Sequence, residues 1–312
     1  MQAWGSNTNY QIDPNIENAT IIATNSVKTY SSYTYTSIDY PGAISTAAYG
    51  INDIWDGSFI NGAGQVGQVV GQYTDSNFVI HGFLLDGLIA FTPINYPGAT
   101  STVATGINNS GQIVGYWSNS TVGGGFLLNG GTYTSFNYPG SLSTTPSGIN
   151  DAGQVVGYYF DASGTTHGFL YYGPKFYSFD YPGGTLNFVG GVNGDGTIVG
   201  AYYDLGSGCD CGFAEYAIPP TWTGTFTSFS YPGAGDTFAA GINNDNQLTG
   251  YFYGGNGPAD GFQFSNGILF TSFQFPSASV TALESTNDFN QAAGIYVDAA
   301  NHGHGFVALP NI

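Results

Sequence analysis

The tripeptide Tyr-Pro-Gly returns at Tyr40, Tyr96, Tyr138, Tyr181 and Tyr231, and Phe275 opens a degenerate sixth copy. The spacings are 56, 42, 43, 50 and 44 residues. Between the copies lies a second marker: Gly-Ile-Asn at Gly50, Gly106, Gly148 and Gly241, Gly-Val-Asn at Gly191, and Ser-Thr-Asn at Ser285. In the last five units a further glycine of the pattern stands nine positions later, at Gly115, Gly157, Gly200, Gly250 and Gly294. Markers recurring in fixed order at this period define an array of supersecondary units, each too small to bury its own apolar face.

Each unit reads as four short strands. In the third they are "TPSGIN", "GQVVGYY", "HGFLYY" and "FYSFDYPG", separated by polar turns and rich in Val, Tyr, Phe and Thr. Segments of that kind form an antiparallel meander, and a period near 43 residues is that of a β-propeller blade. The chain ends distinguish a ring from an open stack. The last unit stops after its third strand, "GHGFVALPNI", whereas "YTYTSIDYPG" (Tyr33 to Gly42) is a fourth strand with no three before it. The two fragments complete one blade only if the ends meet, which removes the exposed sheet edge. The expected fold is therefore all-β: a six-bladed β-propeller of four-stranded antiparallel blades over residues 33–312, closed by the N-terminal strand. Residues 1–32 form an extension outside the repeat. The G-x-G-x-x-G match in "GAGQVG" (Gly62 to Gly67) falls on a turn and a strand with no helix pattern after it, so it is read as part of the repeat.

The chain carries 20 acidic residues against two basic ones, Lys28 and Lys175, for a net charge of −18. Binding to polyanions needs arrays of Lys or Arg, so nucleic acid is excluded as an expected partner, as is an anionic membrane. No apolar run reaches a membrane-spanning length, and membrane insertion is not expected. The start, "MQAWGSNTNY", has neither a basic nor an apolar signal region. The low charge and abundant Asn, Thr, Ser and Tyr favour an extracellular location.

"GINNSGQIVGYW" (106–117), "GINDAGQVVGYYFDASGTTHGFLYYG" (148–173) and the "YPGA" that opens a following unit resemble the HAF-type extracellular repeat of secreted bacterial proteins. The resemblance extends over about residues 33 to 309. It implies secretion and a propeller-like array, and it brings no catalytic motif. The 12-residue insertion near Trp55, the cysteine pair and residues 1–32 depart from the pattern.

Features shared by all units are read as fold, and departures in single units as places where a site is grafted. The aromatic two residues after each second-strand glycine (Tyr73, Trp117, Tyr159, Tyr202, Phe252, Tyr296) recurs throughout. It is read as blade packing, with a sugar-stacking platform as the alternative. Asp-x5-His occurs as Asp75/His81, Asp161/His167 and Asp298/His304. It places a carboxylate and an imidazole at the feet of a hairpin, either as a metal or acid–base pair or as an Asp that caps the turn beside a packed His. Turns such as "VNGDG" faintly resemble calcium loops but hold too few carboxylates for tight coordination. No cofactor is expected, a divalent cation such as calcium being the alternative. Cys209 and Cys211, one residue apart, are too close for a relaxed disulfide.

The functional expectation is a secreted, non-enzymatic recognition module for neutral glycans or another uncharged extracellular ligand. Its ligand-binding candidates are Trp55 with Asp53 and Asp56, Trp117 with Asn119, and Trp222. The alternative is a self-associating surface or matrix protein that forms homo-oligomers through residues 1–32. A propeller hydrolase or lyase stands third, because no G-x-S-x-G, H-E-x-x-H or P-loop motif is present.

Overall fold

The computed structural model describes residues 33–54, 66–88, 90–216, 225–254, 257–265, 267 and 269–311. Within them, 24 strands and no helix build six four-stranded antiparallel sheets. Blade 1 takes Ser45–Ile51, Val69–Thr74, Ile80–Asp86 and Ala90–Ile94 in order from the inside out. Blades 2 to 5 repeat that order over 101–136, 143–179, 184–229 and 236–273. Blade 6 takes Val280–Thr286, Ala292–Val297 and Gly303–Pro310 from the C-terminal end, and its outer strand is Tyr33–Ile38. Tyr33 pairs with Pro310 and Ile38 with Gly305. The inner strands of blades 1 and 6 pack together, so the ring is closed. The molecule is a six-bladed β-propeller.

The blades cohere because each third strand supplies a phenylalanine at the same place. Phe83, Phe126, Phe169, Phe213, Phe262 and Phe306 are all fully buried, and each contributes about 1.5–3 kcal/mol by leaving water. The core is accordingly divided into clusters between neighbouring blades. In one of them Ile38, Val307 and Leu309 of blade 6 meet Ala48, Val69 and Phe83 of blade 1.

Tyr-Pro-Gly connects each blade to the next. The repeat pattern carries the outer strand through this tripeptide, but the strand ends earlier, at Phe136 and Phe179 for example. The tripeptide itself forms a type II turn: Gly140 has φ +80°, and the Ser141 N–H donates to the Tyr138 carbonyl at 3.1 Å. The Tyr138 N–H donates in turn to Oγ1 of Thr144 at 2.9 Å. Thr46, Thr102, Thr237 and Thr281 repeat that bond, all of them buried. The tyrosine ring then lies flat on the second-strand aromatic of the next blade. Tyr40 stacks on Tyr73, Tyr96 on Trp117, Tyr138 on Tyr159, Tyr181 on Tyr202, Tyr231 on Phe252 and Phe275 on Tyr296, with centroids 3.4–4.3 Å apart. The recurring aromatic thus joins blade to blade, in agreement with the packing reading.

The second-strand glycine also has a structural cause. The inner and second strands approach so closely that a Cβ on Gly157 would lie 2.1 Å from the Thr145 carbonyl oxygen. Beside this approach every inner strand carries a bulge, where the pairing register skips one residue: Tyr49, Thr105, Ser147, Gly190, Ala240 and Glu284. A bulge re-aims its extra residue. Here those six residues line the channel on the propeller axis.

Candidate functional site

The two ends of the propeller differ in chemistry. At one end the marker asparagines terminate the inner strands. Asn52, Asn108, Asn150, Asn193, Asn243 and Asn287 are all buried. The Nδ2 of each donates to the backbone carbonyl of the next, at 2.8–3.2 Å, and Asn287 returns to Asn52 to complete the circle. The Oδ1 accepts a backbone N–H of its own turn, as at Gln154 and Gln247. These asparagines are therefore committed to holding the ring, as buried amides must be.

Asp53 belongs to a second ring, one residue further on. Its Oδ1 accepts the Asp288 N–H at 2.8 Å, and its Oδ2 accepts from Asn109 Nδ2 at 2.7 Å. Asn244 links to Asp288 in the same way, while Gly194 supplies no side chain and interrupts the ring beside Asp151. Burial pushes the Asp53 carboxyl above its usual range, against the hydrogen bond from Asn109. The neighbouring Asp288 and Asp151 charges push it the same way. Asp53, a candidate ligand contact, is thus tied up in inter-blade bonds. Its partners in that assignment, Trp55 and Asp56, lie outside the described residues, as does Trp222.

The opposite end carries the Tyr-Pro-Gly turns and the hairpins that join second to third strands. Here the Asp-x5-His pairs take one geometry three times. One Asp oxygen accepts two turn N–H groups, from Asn77 and Val79 at Asp75, Ser163 and Thr165 at Asp161, and Ala300 and His302 at Asp298. The other Asp oxygen faces Nε2 of His81, His167 or His304 at 3.4 Å. Each His Nδ1 meets a residue just before a Tyr-Pro-Gly turn: Asn95 at 2.8 Å, Asp180 at 2.8 Å and Asp39 at 2.6 Å. Burial alone would lower the pKa of His167 and His304, but the two flanking carboxylates outweigh it and hold both above the ordinary value. The imidazoles also stack on Tyr73, Tyr159 and Tyr296. The three pairs sit on blades 1, 3 and 6, and among the described residues no three His, Cys, Asp or Glu side chains are grouped to share a metal ion.

Blade 2 departs from this arrangement. Trp117 occupies the aromatic position and stacks on Tyr96, 4.3 Å between centroids. Its cross-strand partner is Gly124, where three other blades place His81, His167 or His304 and blades 4 and 5 place Cys211 and Asp260. Among the described residues no ring covers the second face of Trp117, which stays partly exposed. Polar groups surround it. The indole Nε1 donates to Ser135 Oγ at 3.2 Å, and the Asn137 amide lies against Gly124, where a Cβ would be 2.6 Å from its Oδ1. Asn119 shapes the adjoining loop by accepting the Thr121 and Val122 N–H groups at 3.0 and 2.9 Å. Trp117 and Asn119 therefore form one neighbourhood, and Asp53 stands at the opposite end of the propeller.

In blade 4 a cysteine takes the His position. Cys209 and Cys211 lie on the same face of one strand with their sulfurs 3.3 Å apart as free thiols. Burial pushes the Cys211 thiol up to about 11.

A feature that the repeat markers do not single out lies on the axis. Cavities of about 70, 70 and 200 Å³ succeed one another along the channel, sharing rings of lining residues. The largest is on the Tyr-Pro-Gly side of the bulge ring and is walled by Tyr49, Tyr116, Tyr158, Phe188 and Glu284. Burial raises the Glu284 carboxyl to about 7. Glu284 breaks a repeat, since the other bulge residues are Tyr, Thr, Ser, Gly and Ala. Comparing units position by position just before the marker would have found it.

This architecture places the chain among six-bladed propellers. By structure it is similar to AofleA from Arthrobotrys oligospora, at TM-score 0.52 and 8% identity over 88% of this chain and 86% of that one. It is also similar to a fungal lectin from Aleuria aurantia described as a six-bladed propeller with fucose recognition, at TM-score 0.49 and 13% identity over 83% and 91%. At such identities the likeness is one of fold. No family model and no curated protein matches the sequence.

Proposed function

We propose that the protein is a non-enzymatic carbohydrate-recognition module for uncharged glycans, acting outside the cell as a member of the HAF-type repeat family. The observation that carries this reading is the half-covered Trp117 of blade 2, stacked on Tyr96 and facing Gly124 where three other blades hold an imidazole. A sugar ring needs an apolar plate for its C–H face and hydrogen-bonding groups at its edge. Trp117 is the plate, and Asn137, Ser135 and the Asn119 loop supply the edge. A net charge of −18 with two basic residues favours uncharged sugars over anionic ones. The self-association reading rests on residues 1–32, which lie outside the described residues.

A glycan array probed with the wild-type protein and Trp117→Ala tests the proposal. Wild type is expected to bind a set of neutral glycans. The variant should lose about 1–3 kcal/mol of affinity, the scale of a ring stacked on an aromatic side chain. Binding confined to sulfated or sialylated glycans, or untouched by Trp117→Ala, would refute the assignment.

A further inference from the structure

Glu284 is surrounded by protein yet opens onto the axial chamber, and among the described residues no donor reaches its carboxylate. The bulge of blade 6 aims it at the axis, a position where four of the other five blades put Thr, Ser, Gly or Ala. A half-buried carboxylate without a partner loses hydration that no hydrogen bond replaces. Of the two basic side chains, Lys175 is exposed on the outer strand of blade 3 and Lys28 lies outside the described residues. The walls include four aromatic residues beside Thr105, Thr145, Ser147 and aliphatic groups: Tyr49 is the bulge residue of the adjoining blade, and Tyr116, Tyr158 and Phe188 extend the chamber toward the Tyr-Pro-Gly end. Tyr251 also feels the Glu284 charge, and burial keeps the Tyr49 and Tyr251 hydroxyls neutral far above neutral pH.

We propose that this chamber binds a small organic ammonium ion, held by the Glu284 carboxylate and the faces of the surrounding tyrosines. The site is independent of the Trp117 platform. Aromatic walls attract a weakly hydrated cation through their ring quadrupoles, and the carboxylate supplies the balancing charge. Calcium or magnesium is a poor fit, because each needs six or more oxygen ligands and the chamber offers one carboxylate. An uncharged ligand would gain nothing from the carboxylate's charge. The volume of about 200 Å³ suits the size, since a cavity of roughly 150 Å³ holds a benzene molecule.

The groups facing Glu284 set the pH dependence. Tyr49 and Tyr251 are its titratable neighbours, with Tyr116 and Tyr158 beyond them and Asp210 near Tyr251. The tyrosines stay neutral through the physiological range, so Glu284, near 7, is the group that titrates. A cation must displace its proton, and affinity should therefore rise between about pH 6 and pH 8.

Calorimetric titration of the full chain with choline, and with its neutral isostere 3,3-dimethylbutanol, tests the inference. Choline is expected to bind wild type with proton release near pH 7 and more tightly at pH 8 than at pH 6. The isostere and the Glu284→Gln variant should each show a loss of about tenfold or more. Absence of choline binding, equal binding of the isostere, or an affinity indifferent to both pH and Glu284→Gln would overturn it. The wild-type pH series decides the matter even if the variant fails to fold.

Discussion

Asp161 uses its two oxygens for different tasks. One accepts the N–H groups of Ser163 and Thr165 and the Ser163 hydroxyl, and the other faces His167. The Ser163 hydroxyl and the Thr165 N–H lead in holding its pKa down, from 3.8 to about 2. Its contribution to stability is therefore complete above the ordinary carboxylate value and is lost as pH falls toward about 2. His167 behaves oppositely: its raised pKa contributes below 6.5 and fades as pH rises through the folded value. Asp161→Ala is thus expected to lower the melting temperature most between pH 4 and pH 6.5, with a gap that closes toward pH 2. Melting curves across that range check it, and a gap independent of pH would contradict it. The Asp–His spacing was legible in the sequence because both residues belong to one hairpin. The third partners, Asn95, Asp180 and Asp39, were not, because outer-strand pairing brings them in, for Asp39 across the chain closure. Glu284 was hidden differently. It precedes the degenerate Ser-Thr-Asn marker, and nothing in the one-dimensional pattern says that a bulge turns that residue inward.

The strand Tyr33–Ile38 carries the one non-sequential pairing among the described strands. It covers the edge of Gly303–Pro310, puts Ile38 into the cluster that joins blades 6 and 1, and sets Tyr33 edge-on against Phe273. Removing residues 1–42 strips those bonds and the Tyr40–Tyr73 stack together. A ring opened at one blade loses the mutual support of its neighbours, so the truncated protein should melt over a broad, non-cooperative range. A sharp two-state transition in calorimetry would show that closure is dispensable. This element was legible because two incomplete units complement each other. The strand count and order were legible too, since both derive from a four-strand period. The buried threonines and asparagines of the connections were not all visible as such: the Gly-Ile-Asn asparagine read as a turn residue, whereas its amide actually spans to the next blade.

Across the whole molecule, six similar units leave function to the places where one unit differs. Besides the cysteine pair of blade 4 and Asp260 at the same position in blade 5, two such places stand out among the described residues. On the Tyr-Pro-Gly rim, blade 2 replaces an imidazole with Gly124 beside Trp117, and on the axis, blade 6 presents Glu284. Composition could say which ligands suit the surface but not which blade carries the opening, because an absent side chain has meaning only against its symmetry mates. The most direct measurement is therefore to restore the symmetry. Gly124→His would put an imidazole against Trp117, with Asn137 placed as Asn95 is beside His81. The Asn137 amide is the end of a flexible side chain and can yield to the new ring. Neutral-glycan binding by calorimetry is expected to fall at least about tenfold while the melting temperature holds or rises. Unchanged glycan affinity in a folded Gly124→His protein would contradict the claim that blade 2 is the recognition site.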